Sequence, residues 1–199
     1  MKDRLTIFVG LGNPGKQYKN TRHNVGFIVL ENFLENLRDL SEIRKDYKFN
    51  SIINEFILFD SKVVCVFPLT YMNLAGIAVK QIINYYKVND LRNSLVVIND
   101  DMDVDLGYFK LRINGGDGGH NGVRSIIDHI GKDFCRIKVG ISRPADKNYK
   151  EYVLQNFSDE EIIRIKEILP TLSLVLKNII KEGFVLTMSK VGTFLIKKN

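Results

Sequence analysis

A chain of 199 residues, 45% hydrophobic and 26% charged, has enough material for one domain with a real core. Lys and Arg outnumber Asp and Glu by 29 to 23, and the net charge of +6 hints at a polyanionic partner. No apolar run approaches the ~20 residues of a membrane span, and Met1-Lys2-Asp3 leads straight into an apolar segment without a secretory signal, so a reducing cytoplasm is the simplest setting.

Residues 5–9 are apolar and β-branched, which predicts a buried strand. Val25, Ile28, Val29, Leu30, Phe33, Leu34 and Leu37 recur at helical spacing, so a helix follows and fades near Leu40. Between them lies Gly10-Leu11-Gly12-Asn13-Pro14-Gly15, a polar loop, and Thr21-Arg22-His23-Asn24-Val25-Gly26-Phe27. Gly10, Gly12 and Gly15 satisfy G-x-G-x-x-G after a strand, the pattern of dinucleotide sites. That pattern needs a helix opening inside it, to aim backbone amides at a pyrophosphate. Here residues 16–22 carry no apolar stripe, and Glu31 and Glu35 fall within the first helix, so the glycines are read as turn and close-approach positions.

A charged connector at 42–46 leads to a hairpin of strands at 49–59 and 63–67, turning at 60–62. Pro68 ends the second strand, and Thr70 is placed to cap a helix carrying Ile77, Val79, Ile82, Ile83 and Tyr86. Residues 95–98 form a third buried run, followed by an acidic loop at 99–105, a strand at 108–113 and a glycine-rich loop at 115–122. A short helix at 123–130 and a strand at 136–141 come next. Ser158 and Glu161 form a capping box for a long helix reaching about Lys181, with Pro170 as a kink point. Strands alternating with helices give an α/β fold: one domain over residues 1–199, with a mixed, mostly parallel twisted sheet flanked by helices.

Three histidines are candidates for chemistry. His129 sits near a helix end beside Gly131 and reads as structural. His120, in the glycine-rich loop, suits either a structural or a site role. His23, where the loop enters the helix, is the best general base. Asp101-x-Asp103-x-Asp105 imitates a calcium loop, but Leu106 and Arg112 stand where it needs Gly and Glu. Zinc would need more His and Cys ligands in workable spacing, and Cys65 and Cys135 lie in apolar runs as small core residues. What remains is a carboxylate following the 95–98 run that can orient an imidazole, with water as nucleophile. Asn13, Asn24, Asn73 and Asn121 fall in loops or at helix starts, where an amide can cap a turn or hold a carbonyl and a water. Lys110 with Arg112, and Arg136 with Lys138, share strand faces; with Arg143 and Lys147 they form either a solvated face or a phosphate track.

The 10–15 and 21–27 segments, Thr70-Tyr71-Met72-Asn73, Asp100-Asp101-Met102-Asp103, Gly118-Gly119-His120-Asn121-Gly122, Val139-Gly140-Ile141 with Arg143-Pro144, and Tyr152-Val153-Leu154 together resemble the bacterial-type peptidyl-tRNA hydrolases. Each motif alone is short; in this order, from residue 5 to about 157, they are highly specific. Ala75 and Ser142 depart from the serine and glycine common there, away from the expected chemistry. The resemblance implies a monomeric cytoplasmic esterase without metal or other cofactor, cleaving the bond between a peptide and the terminal ribose of tRNA. It implies His23 as the base, Asp100 as its orienting partner, and Asn73 and Asn121 as groups that bind the substrate end and place the water. Tyr18 and Tyr71 would meet the tRNA 3′ end, Met72 would line the site where the substrate binds, Asn13 would sense the peptide, and the basic face would meet the acceptor stem. A nucleic-acid-binding relative without hydrolysis, or a hydrolase of another small ester or amide, are the alternatives.

Overall fold

The computed structural model describes residues 4–37, 42–145 and 147–191. Four strands form the middle of its sheet: β1 (Leu5–Gly10), β4 (Ser61–Pro68), β5 (Leu95–Asp101) and β7 (Cys135–Gly140). Phe8 of β1 packs into one core with α1 (Val25–Glu35) and the long helix α6 (Asp159–Glu182). Its neighbours Ile7 and Val9 point the other way, into a core with α2 (Ala75–Tyr85) and α4 (Asn121–Ile130). A strand covered on both faces has no reason to alternate polar and apolar residues, which is why these segments read as continuous apolar runs.

With β2 (Arg44–Lys48), β3 (Ser51–Leu58) and β6 (Phe109–Ile113), the order across the sheet is β2-β3-β4-β1-β5-β7-β6. Pairing among β4, β1, β5 and β7 is parallel, and the strands outside them pair antiparallel. The expected α/β domain with a mixed, mostly parallel sheet is therefore the observed one. No helix among the described residues is long and apolar enough to cross a membrane.

From β1 the chain reaches β4 on one side, then crosses to lay β5 on the other. Such a reversal leaves a crevice beyond the carboxyl ends of the two central strands. Gly26 of α1 closes up on that point: a Cβ there would lie 2.4 Å from the Ile98 carbonyl oxygen and 2.5 Å from the Leu11 amide. Glycine thus lets the first turn of α1 touch the ends of β1 and β5 directly.

Several elements differ from their expected extents. The charged connector is partly the edge strand β2, whose charges protect an exposed edge and hide its apolar signal. Both hairpin turns are two-residue turns with positive φ at each position, at Phe49-Asn50 and Phe59-Asp60. Neither contains glycine, and the second turn, at 59–60, starts one residue before the expected 60–62. β5 continues through Asn99 and Asp100, which moves Asp100 from a loop onto a strand end. Thr70 does not cap α2: a 3-10 turn at Met72–Leu74 precedes that helix, and the Thr70 Oγ1 is buried without a partner. The short helices α3 (Leu91–Ser94) and α5 (Tyr149–Leu154), and α7 (Phe184–Val191), have too few periodic apolar residues to stand out in sequence. The capping box of α6 is present as expected, and that helix runs through Pro170. The expected end of the first helix near Leu40 lies outside the described residues; α1 ends at Glu35.

Candidate active site

The crevice carries a buried His–Asp pair. His23 sits in a 3-10 turn (Arg22–Asn24) leading into α1, and its Nδ1 lies 2.8 Å from Oδ1 of Asp100 at the end of β5. Both residues are less than a tenth exposed. Burial opposes protonation of His23, but the charge of Asp100 and the hydrogen bond to it outweigh burial and hold the imidazole pKa above its ordinary value. For Asp100, burial would raise the pKa; the electrostatic pull of the His23 and His120 rings and the hydrogen bonds from them prevail and keep the carboxyl far below the usual range. With Nδ1–H donating to a carboxylate, the other ring nitrogen of His23 holds a lone pair, and the side chain lines the cleft.

The loop bearing His23 is clamped by amides. Asn24 Oδ1 accepts from the Asn13 backbone N–H at 2.8 Å, and its Nδ2 donates to the Asn13 carbonyl at 3.0 Å. Asn13 is in turn fixed by the chain after β4, because its Oδ1 accepts from the Met72 N–H at 2.8 Å. That bond determines which way the amide faces, and no hydrogen bond among the described residues uses Asn13 Nδ2. Asn24 was legible only as one of a recurring set of loop asparagines.

His120 resolves into both of its open roles. Its Nδ1 accepts from the backbone N–H groups of Gly122 and Val123, at 3.1 and 3.3 Å, and so caps α4. An accepting Nδ1 places the proton on Nε2, which donates to the same Asp100 Oδ1 at 2.9 Å. One carboxylate oxygen therefore receives two imidazole N–H groups. The donor atoms of His23, Asp100 and His120 lie within 4.8 Å of one another, a spacing that would suit a metal ion. A metal ligated at His120 Nε2 would need the lone pair that this tautomer does not offer there.

Asn121 opens α4 and lines the cleft beside His23 and Asp100. Met72 is buried, and it closes up on Gly122, where a Cβ would lie 2.5 Å from the sulfur and 3.1 Å from His120 Cε1. Tyr18, Tyr71 and Asn73 occupy the surface: Tyr71 is 59% exposed, and no hydrogen bond or ring contact among the described residues joins the three to the His–Asp pair. His129 is structural as expected, its ring N–H donating to the Ser125 carbonyl at 2.7 Å. The cysteines are free and buried; burial raises both thiols, Cys135 to about 12, which removes them as nucleophiles.

The basic face divides. Register pairs Lys110 directly with Lys138 and Arg112 with Arg136, so four cations share one patch of β6 and β7. Arg136, however, is buried and donates to the carbonyls of Asn114 and Gly116, bracing the glycine-rich loop rather than facing solvent. Lys138 pairs with Asp101, and Arg143 with Asp103. Lys110 and Arg112 are exposed and take no ion pair among the described residues.

A family model described as peptidyl-tRNA hydrolase matches residues 7–199. A peptidyl-tRNA hydrolase of Clostridium perfringens is 40% identical over 94% of this chain and 96% of its own length. Another, of Thermodesulfovibrio yellowstonii, is 43% identical over 82% of this chain and 86% of its own. The crystal structure of peptidyl-tRNA hydrolase from Acinetobacter baumannii superposes with a TM-score of 0.85 at 29% identity, covering 96% of each chain.

Proposed function

This chain belongs to the peptidyl-tRNA hydrolase family and is a hydrolase of an ester bond, and we propose that His23 is the base that activates water against that ester. The observation that carries this reading is the buried Asp100–His23 hydrogen bond at the carboxyl ends of the central strands. Water loses a proton to the free ring nitrogen of His23 and attacks the carbonyl carbon joining peptide to ribose. Collapse of the tetrahedral intermediate breaks the C–O bond, and the proton held by His23 passes to the leaving ribose oxygen. Asp100 stabilises the imidazolium while it exists, and His120 keeps Asp100 ionised. No step calls on a metal or other cofactor, in keeping with the His120 tautomer. Asn73 and Asn121 bind the substrate end and place the water, Tyr18 and Tyr71 meet the tRNA 3′ end, and Met72 lines the site. The enzyme acts as a single chain.

Aminoacyl-tRNA carries the same ester with a free charged amine, where peptidyl-tRNA has an amide and its carbonyl. Asn13 supplies the discrimination: its oxygen is occupied by Met72 N–H, so its Nδ2 is left to donate to that carbonyl. A buried hydrogen bond lost in this way costs about 1–3 kcal/mol, or roughly 5- to 150-fold. The test is turnover of N-acetylaminoacyl-tRNA beside its unblocked analogue. The blocked substrate should be strongly preferred, and Asn13→Ala should narrow the ratio by slowing mainly the blocked one. Equal turnover of the two substrates would overturn the function, and an unchanged ratio in the variant would return Asn13 to a loop-bracing role.

Lys110 and Arg112 are the cations left to meet acceptor-stem phosphates. They stand two residues apart on one face of β6, each opposite a cation of β7, and a phosphate bound there would offset the cost of those like-charge neighbours. Affinity for tRNA should fall with salt, and Arg112→Ala should flatten the log–log slope by about one contact. A slope of zero in the parent protein would leave the positive charge to solubility alone.

A further inference from the structure

Arg22 precedes the base in sequence, and its side chain is buried while carrying a full charge. In a 3-10 turn, with three residues per turn, consecutive side chains leave in three directions. Asn24 goes to Asn13, His23 to Asp100, and Arg22 to a third anchor made from residues 152–161, far along the chain. Its Nη2 pairs with Glu161 Oε2 at 2.6 Å, and its Nη1 faces the carbonyl oxygens of Tyr152 and Gln155 at 3.2 and 3.4 Å. The guanidinium carbon lies 4.1 Å from the centre of the Tyr152 ring.

Each partner is itself tied down. Glu161 Oε2 also accepts from the Ser158 N–H, completing the cap of α6. The Tyr152 hydroxyl donates to the Ile141 carbonyl just past β7. The backbone repeats the link, with Arg22 N–H donating to Gln155 and Phe157 N–H donating to Asn20. One planar cation thus fastens the turn carrying the base to α5, whose Tyr149, Lys150 and Val153 line the cleft, and to the start of α6.

We infer that Arg22 is a positioning residue for the hydrolysis, setting His23 and the cleft wall relative to each other; this rests on His23 being the base. A misplacement of about 1 Å in a reacting group can cost on the order of 10²-fold in rate, so the fastening matters to turnover as well as to the fold. The site also explains why arginine is needed: a planar fork serves a carboxylate, two carbonyls and a ring face together, which an ammonium cannot.

The experiment is Arg22→Lys, which keeps the charge and can keep Glu161, assayed on N-acetylaminoacyl-tRNA with rates taken per folded molecule. The expected result is a kcat at least ~10-fold lower, a KM within about threefold of the parent, and an unmoved acidic limb of the pH profile, because Asp100 governs the proton affinity of His23. A folded variant with kcat within twofold, whatever its Tm, would make Arg22 a scaffold residue only and overturn the inference. So would a loss confined to KM. Should Arg22→Lys not fold, Glu161→Gln decides by the same readouts: it leaves Arg22 its carbonyls and ring, and kcat should fall about 3- to 10-fold, with a value within twofold overturning the inference. Full activity in His23→Ala would instead overturn the reading on which the inference depends.

Discussion

Replacing His23 with alanine should lower the rate of N-acetylaminoacyl-tRNA hydrolysis by at least ~10²-fold while leaving tRNA affinity within about twofold. General-base catalysis supplies roughly 10²–10⁴-fold, and none of the described residues around the Asp100 carboxylate can take over. His120 cannot, since its Nε2 carries a proton directed at Asp100 and its Nδ1 is committed to the start of α4. The variant should fold, because the turn holding residue 23 is fastened by Arg22 and Asn24 independently of the imidazole. Single-turnover kinetics and a filter-binding isotherm on the same preparation make the check. A folded His23→Ala protein with near-normal turnover would remove His23 from the mechanism.

The residue identities at this site were legible in sequence to the extent that local chain geometry determines them. His23 and Asn13 share one loop between an apolar strand and an apolar helix, and that context is local. Asp100 was identifiable as a carboxylate after a buried run, although polar Asn99 and Asp100 obscured the continuation of the strand. His120 was less readable because its role depends on two contacts from different parts of the fold: neighbouring amides on one nitrogen and a carboxylate twenty residues away on the other. Arg136 misled for a similar reason. Strand alternation predicts the face correctly, yet the folded-back glycine-rich loop covers that end of the face and turns a candidate phosphate ligand into a brace. Arg22 carried no local sign of its role, since its partners at 152–161 lie 130 or more residues further along the chain. The fold class was readable throughout, and the missed elements were an edge strand and helices without a sufficient apolar period.

The Asp100→Asn variant separates charge from geometry, because both imidazoles share a single oxygen of Asp100. An asparagine can place its own oxygen there and keep both N–H donors, with its NH₂ where the second carboxylate oxygen was. The tautomers then survive and the negative charge alone is lost. An ionised carboxylate ~4 Å from a developing imidazolium is worth roughly 4 kcal/mol at an effective dielectric near 20, or on the order of 10³-fold. The plateau rate should therefore fall by about 10²–10³-fold. The pH profile should move as well, in a direction fixed by the causes of the His23 shift. In the parent protein Asp100 holds the imidazole pKa above its ordinary value of 6.5 against the opposing effect of burial, so activity is lost as pH falls through that raised value. With the charge gone, the remaining hydrogen bond no longer offsets burial, the imidazole stays neutral to lower pH, and the acidic limb should move downward even as the plateau drops. A lower plateau with an unmoved limb would mean that the variant had disturbed geometry and that the Asp100 charge does not set the proton affinity of the base; an undiminished plateau would remove Asp100 from the reaction.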